Sequence, residues 1–497
     1  MDIIENVPYA SILLSLGSGV LTSIMNKTAA KLWNTFIIIT IGAMSGLLLI
    51  YLLTTGQSYV FMMGHFPAPW GNEIRAGVLE AGMALFFCII MFLSLKGGQM
   101  HIDAEIEETK TNLFYIMVNL LLSSLLALIY TNDLFTAYVF VEINTISACG
   151  LIMINNSGRT IEAATRYMIM SLMGSGLLLM GICVLYDITG HLLMSNIKES
   201  IAGIYAEGTY MVPLIISIGI ISAGLAIKSA LYPFHTWLPN AYGYSNVSSA
   251  AILSSLVSKG YIFLLIKIFY RVVGFDIIVE SKIINIMFVF GLAGMIMGSI
   301  NAIMEDDIRR MIAFSSVAQI GYIYMGFGLG VEAGIIASIF HIFSHAIAKS
   351  MLFISAIGIT DASGKSTDFF KLTGAGYRNV IAGITFTVGS LSMVGMPLFS
   401  GFISKILYAQ AAISVDVSKM LPTLICLAIS TILNAIYFLK TVIRIYTPEK
   451  TDYKKIYFKD NVTYGLVCIC FIALCFIFGL WSEPIVDMVQ KGLNMFS

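Results

Sequence analysis

Residues 112–130 read NLFYIMVNLLLSSLLALIY, nineteen positions without a charged side chain. As an α-helix at about 1.5 Å per residue, this stretch matches the roughly 30 Å hydrocarbon core of a bilayer. Lipid offers no hydrogen bonds, so a crossing chain must pair its own backbone, which a helix does within the segment. Further uncharged runs lie at 33–53, 283–304, 420–439 and 461–481. Of all 497 residues, 58% are hydrophobic and 11% charged, against about 25% charged in average soluble domains. A water-soluble fold of this size has too little interior for so much apolar side chain. The expectation is an all-α polytopic membrane protein.

Fourteen spans are expected, at 8–25, 33–54, 77–96, 112–130, 133–155, 161–187, 209–230, 244–270, 283–304, 309–328, 332–358, 379–411, 420–446 and 461–481. The chain starts MDIIENV, without the basic stretch of a cleavable signal, so the first span is expected to be retained. Loops after odd-numbered spans carry fourteen Lys and Arg, Lys450 and Lys454 among them, and the opposite side carries six. The positive-inside bias then places both termini outside a prokaryotic inner membrane. With 28 basic and 28 acidic residues, nothing favours nucleic-acid binding. The seven cysteines lie in apolar runs, and Cys468, Cys470 and Cys475 have no His or acid beside them, so they read as hydrophobic filler. The acidic run Asp103, Glu105, Glu107 and Glu108 reads as a solvated inside loop, with a contact to a neighbouring subunit as the alternative.

The informative residues are charges at lipid depth. Arg166 follows Glu162 by four residues and reads as a local ion pair. Lys267, Lys440 and Arg444 sit near span ends, where long side chains snorkel. Lys228, Lys259, Lys349 and Lys405 have apolar turns on both sides, and Glu142 lies mid-span in the same way. Each costs roughly 2.5–3.5 kcal/mol at a helix centre on insertion scales. An ion pathway with exchangeable protons accounts for five such residues; a structural ion-pair network is the competing reading. A lysine in a dry interior gives up its proton readily, and an adjacent carboxylate holds it on, so Glu142 approaching and leaving Lys228 would load and unload the lysine.

His341 and His345 lie one turn apart, and Lys349 continues their face. A proton relay or plain packing fits this trio. Zinc does not, because no third ligand is near and Lys349 would repel the metal. His235, beside Pro233, reads either as a relay toward the inside or as a hydrogen-bonded surface histidine. His65, His101 and His191 read as solvated loop residues. Asp133 lies nine residues before Glu142 near a span end, and two acids are too few for a sodium cage. Pro and Gly break two spans, at KSALYPFHTWLP (228–239) and VGSLSMVGMPLFSGFISK (388–405). Broken helices in lipid line cavities or are buried in protein. Two breaks five spans apart suggest a repeat: N-terminal helices in 1–111, five-helix units in 112–270 and 283–446, and a C-terminal loop and helix in 447–497.

The stretches TNDLFTAYVFVEINTIS (131–147), GLAIKSALYPFHTWLPNAYGYSNVSSAAILSSLVSKGYIF (224–263), HIFSHAIAKSMLF (341–353) and GMPLFSGFISK (395–405) resemble the antiporter-like subunits of respiratory complex I, Mrp-type sodium/proton antiporters and membrane-bound hydrogenases. The resemblance implies fourteen helices, with two inverted five-helix bundles that each contain a broken helix. It implies that Glu142 pairs with Lys228, that Lys259 connects, that His341, His345 and Lys349 form a central relay, and that Lys405 ends the path. Lysine rather than glutamate at 405, with DLFTAYVFVEI, leans toward the Mrp D-type subunit and its hydrogenase counterpart. NAYGYSNVSSA after Pro239 departs from the family's acidic, Ala-Pro-rich turn. The implied function is proton translocation within a hetero-oligomeric membrane complex, either an Mrp-type antiporter or the pumping module of a redox complex. No nucleotide, haem or cluster motif is present, so no cofactor is expected. Cysteines placed at the N-terminus and near Lys491 are expected to react with an impermeant thiol reagent outside intact cells, and one near Lys371 to be protected; the reverse labelling pattern inverts the orientation.

Overall fold

The computed structural model describes residues 3–63, 66, 71–448 and 455–496. His65, Lys450 and Lys454 fall outside them. Among the described residues, twelve helices are long and apolar enough to cross a membrane by length and composition. Two shorter crossings complete the expected fourteen: the sixteen-residue helix Val7–Thr22 and the pair Val380–Val394 and Ser400–Ile413. The chain is a multi-pass membrane protein.

Burial ranks the spans. In the eighth, Val247–Val273, and the eleventh, Glu332–Asp361, the most apolar window is 100% buried, whereas it is 33% buried in the second, Lys27–Thr55, and the last, Val462–Leu480. The polar residues of the eighth and eleventh spans therefore face protein rather than lipid. The eighth span is α-helical with wider π turns at Leu253–Val257 and Ile268–Val273.

The seventh span, Met211–Lys228, stops at its lysine and resumes as the short helix Leu238–Tyr244. Pro233 and Pro239 lack backbone N–H donors, and the intervening backbone folds into turns, with Leu231 N donating to Ala226 O at 3.0 Å. The twelfth crossing breaks after Val394, where Gly395 adopts φ +85° and caps the first half. The expected 379–411 span is thus two half-helices, broken within the 388–405 stretch where Pro and Gly placed the break.

Other elements have no counterpart in the sequence expectations. Tyr59–Met62 and Glu73–Ala76 pair as an antiparallel hairpin, and Met194–Glu207 and Glu483–Asn494 are short helices. The hairpin gathers both chain ends: Tyr59 Oη donates to Glu5 O at 3.2 Å, and Arg75 donates to Met495 O. Both ends therefore lie on one face, as an even number of crossings requires.

Three expectations are corrected. Lys267 does not snorkel to water; it is fully buried and donates to the carbonyls of Leu128 (3.1 Å), Ile129 (2.9 Å) and Thr131. It caps the fourth span, Thr111–Tyr130, because the last carbonyls of a helix lack intrahelical donors. Arg271, counted from the sequence among the six basic residues of the opposite side, is no loop residue but a buried partner of Glu80. His101 is half-buried on the short helix Gln99–Glu105 and pairs with Asp361 at 3.2 Å. By contrast, the Arg166–Glu162 pair forms as expected, at 2.8 Å.

Small residues set the spacing that matters most. A side chain on Gly224 would meet Gly174 O at 2.6 Å, so the sixth span, Gly158–Thr189, and the seventh touch through backbone. Gly224→Ala is expected to cost about 1–3 kcal/mol by overpacking, read as a lower melting temperature of the purified protein in detergent.

Candidate functional site

Lys228 is the last residue of its half-helix and is 1% exposed. Its Nζ donates to Thr145 Oγ1 at 2.8 Å and Ser171 Oγ at 3.0 Å, from the fifth and sixth spans. Glu142 Oε1 stands at 3.7 Å, within ion-pairing range but beyond direct hydrogen bonding. Ser175 donates to that same carboxylate oxygen. The two charges meet, with the hydroxyls taking the lysine's hydrogen bonds. A side chain on Gly174 would come within 3.0 Å of the Lys228 stem, so the close helix contact also fixes the lysine's course.

Glu142 departs from the expected full burial. It lies on the fifth span, Leu134–Met153, three residues from exposed Val139 and four from exposed Ile146, and a quarter of its side chain is open to the outside of the chain. Helical spacing puts it on that outward face, while Ser175 and Lys228 draw its carboxylate inward.

From Lys228 the polar groups run inward. Its Nζ lies 5.3 Å from the ring centre of Tyr261, whose hydroxyl donates to Asn144 Oδ1 at 3.0 Å. Two residues before Tyr261, Lys259 reaches back to Ser254 O inside the π turn. Lys349 donates to Ile312 O at 2.8 Å and to Ser315. The spans that carry Lys259 and Lys349 meet where Ser255 Oγ lies 2.7 Å from Ser350 Oγ. The two histidine rings stack with centres 5.8 Å apart. His341 Nδ1 is 2.7 Å from Ser404 Oγ, and its ring lies 5.5 Å from that of Tyr322. Lys405 closes the row 5.9 Å from the Tyr322 ring, donating to Val394 O at 2.6 Å and Thr431 Oγ1 at 2.7 Å. Val394 ends the other broken half-helix. One lysine therefore ends the first half-helix and another caps the second.

Among the described residues, no carboxylate pairs with Lys259, Lys349 or Lys405. Among the described residues, neither ring nitrogen of His345 and not His341 Nε2 has a hydrogen-bond partner. His235 stacks on Tyr232 and lines a cavity of about 410 Å³ with Arg166, Asn240, Glu305 and Arg310, on the face away from the termini. Asp133 stays apart from the row. It caps the fifth span by accepting from Thr136 N at 2.6 Å and lines a cavity with His191 on the hairpin side.

Sequence reasoning missed Glu80, a fully buried acid paired with Arg271. Its signal was present, an acid in the first turn of the apolar third span, Val78–Gly97. The hydroxyls of Thr145, Ser171 and Ser175 carried no comparable signal, because Ser and Thr are ordinary residues of packed membrane helices.

A family described as "NADH:quinone oxidoreductase/Mrp antiporter, TM" matches residues 131–432, which include every residue of the row. The chain is 30% identical over 392 residues to NADH-quinone oxidoreductase subunit N of Desulforudis audaxviator, covering 78% of this chain and 76% of that protein. It is 27% identical over 377 residues to the D-type subunit of the Na(+)/H(+) antiporter of Alkalihalophilus pseudofirmus, covering 74% of each. Its fold matches a component of the membrane-bound sulfane sulfur reductase, an archaeal respiratory membrane complex, with TM-score 0.89 at 22% identity over 100% of this chain and 98% of that one. A row of buried lysines strung between two broken helices, on a sequence matched across that whole row, makes this chain a member of the antiporter-like membrane-subunit family shared by NADH:quinone oxidoreductases and Mrp antiporters.

Proposed function

We propose that this chain moves protons across the membrane along Glu142, Lys228, Lys259, Lys349, His345, His341 and Lys405, as the D-like subunit of an Mrp-type cation/proton antiporter. The observation that carries the reading is the Glu142–Lys228 pair at 3.7 Å, with hydroxyls holding the ammonium. Such a pair opens without leaving the lysine bare: when Glu142 withdraws, Lys228 keeps two neutral acceptors and its proton becomes transferable. Lys259, Lys349 and Lys405 have neutral oxygens only, so each exchanges a proton without first breaking a salt bridge. An ammonium offers sodium no ligand, and sodium belongs to other subunits of the complex. His235 and its cavity serve the Lys228 end from the inside, with both termini outside. Residues 112–270 and 283–446 act as two five-helix units, each with one broken helix and one end of the lysine row. The outward-facing flank of Glu142 fits a position covered by a neighbouring membrane subunit.

A second reading makes the chain the ion-pumping module of a redox-driven complex, with electron transfer in other subunits. The 30% relative and the fold likeness to the sulfane sulfur reductase favour it. Purifying the native complex separates the two: small multi-span partners support the antiporter, and nickel–iron or ferredoxin-like partners support the redox machine.

Glu142→Ala and Lys228→Ala are each expected to abolish ion flux in liposomes containing the complex while leaving assembly largely intact; near-normal flux in either, with the full complex present, removes the role assigned to the pair. Lys405→Gln is expected to stop proton uptake and Lys405→Glu to retain part of it, because a carboxylate also exchanges protons. Proton uptake at the original rate in Lys405→Gln takes that residue off the path.

A further inference from the structure

The tenth span, Ile308–Gly328, carries two arginines in its first turn, and both reach onto the short helix Leu238–Tyr244, the second half of the broken seventh span. The Arg310 guanidinium donates to both carboxylate oxygens of Glu305, at 3.0 and 2.8 Å. Its remaining nitrogen donates to Tyr244 Oη at 3.1 Å and to Asn240 Oδ1, one turn apart on the short helix. Arg309 donates to Tyr242 O at 3.3 Å and to Ser245 O, carbonyls at the end of that helix, where it has no donors of its own. Asp307 accepts from the backbone N–H groups of Arg309 and Arg310 at 2.8 and 3.0 Å, so the turn that carries the two arginines is itself fixed. Gly243 leaves room for the Arg310 stem, since a Cβ there would stand 2.7 Å from Cγ of Arg310.

A helix of seven residues is far too short to hold itself. Leu238–Tyr244 follows turns rather than a continuous helix, so its place depends on what grips it. The two guanidinium groups grip it at 240, 242 and 244 and at Ser245 just beyond, and Tyr242 Oη adds a bond to Leu253 O at 3.3 Å. That place matters to the site. Pro239 and Asn240 line the cavity of about 410 Å³ that holds His235, and Glu305 and Arg310 line it with them. The same tenth span holds Lys349 through Ile312 O and Ser315, two and five residues after Arg310. One helix therefore grips the wall of the cavity at the Lys228 end and a lysine at the centre of the row.

We infer that Arg310, held by Glu305, is a positioning residue for proton entry: it fixes the short helix that walls the His235 cavity and ties that helix to the tenth span. The inference rests on the proposed proton function and adds the residue that keeps its cavity-side entry in shape. Arg310 takes up and releases no proton itself, because a guanidinium stays charged. Its part is geometric. One edge of the planar fork takes both carboxylate oxygens of Glu305, and the third nitrogen takes the short helix, a division that a lysine ammonium does not reproduce. With the fork lost, the short helix is free to drift, and the cavity no longer presents His235 in one arrangement.

The test is proton flux of the complex reconstituted in oriented liposomes, with pH varied on one side at a time. Arg310→Gln is expected to raise the proton concentration for half-maximal flux on the cavity side at least about threefold, and to leave the dependence on the side of the termini unchanged. Arg310→Lys, which keeps the charge and loses the fork, is expected to shift the same side in the same direction by less. An unchanged cavity-side dependence in Arg310→Gln overturns the inference. So does an equal shift on both sides, or a lower maximal rate with both dependences unchanged, since a merely structural role explains either. If Arg310→Gln does not assemble or carries no flux, the pair Asn240→Ala/Tyr244→Phe decides. It leaves both arginines and Glu305 in place and is expected to reproduce the cavity-side shift; an unchanged dependence overturns the inference. Original flux in Lys228→Ala refutes the proton function itself, whereas loss there beside an unshifted Arg310→Gln refutes the positioning role alone.

Discussion

Everything in this molecule depends on giving an ammonium group oxygen where there is no water. Five lysines lie at membrane depth, and only Lys228 has a carboxylate within pairing distance among the described residues. The rest are held by neutral oxygens: a carbonyl for Lys259, three carbonyls for Lys267, and a carbonyl with a hydroxyl for Lys349 and for Lys405. Neutral acceptors suit the charged and the neutral amine alike. A carboxylate would favour the charged form strongly and make its loss costly. A helix break supplies Val394 O, a π turn supplies Ser254 O and a helix end supplies the carbonyls on Lys267, whereas Ile312 O is shared from within the helix Ile308–Gly328.

That arrangement separates the lysines by role. Lys267 has three donors and three acceptors, all from the end of one helix, with the Glu80–Arg271 pair close by. It reads as a fixed structural charge. Lys259 and Lys349 have fewer acceptors, and beside them stand histidine nitrogens without protein partners. Buried polar atoms left unpaired mark either strain or traffic; those of His341 and His345 lie on the row between Lys259 and Lys405, while others, at Glu80 and Arg271 among them, lie elsewhere in the fold.

Most of the fold was legible in the sequence, because span length and hydropathy obey a strong constraint. All fourteen crossings lie within a few residues of the expected positions, and the two breaks fall where Pro and Gly announced them. The row of lysines was legible for the same reason: a charge costs too much at lipid depth to be there by accident. The rest was hidden for physical reasons. Whether a charge near a span end snorkels or turns inward depends on the neighbouring helix, so sequence alone places Lys267 and Arg271 at the periphery. Glu142 was read as buried because periodicity within one helix does not say which face meets protein. The hairpin and the short helices Met194–Glu207 and Glu483–Asn494 lie between spans or after the last one, in segments too short for their pattern to say much, and the contact of Ser255 with Ser350 depends on which helices meet.

The π turns of the eighth span give its sequence an unusual grammar. A π turn amounts to one residue more than the α-helix needs, and the side chains beyond it are rotated by roughly a third of a turn. Lys259 follows the π turn at Leu253–Val257, and Lys267 precedes the second at Ile268–Val273. Deleting a single residue from Leu253–Val257 would leave a hydrophobic helix of adequate length that looks harmless by composition. It would also swing Lys259 about 100° away from Lys349 and the histidines. In this span phase, rather than residue identity, is the quantity that descent has to preserve. Two relatives aligned with a one-residue gap here would share every motif and still point their lysines at different neighbours.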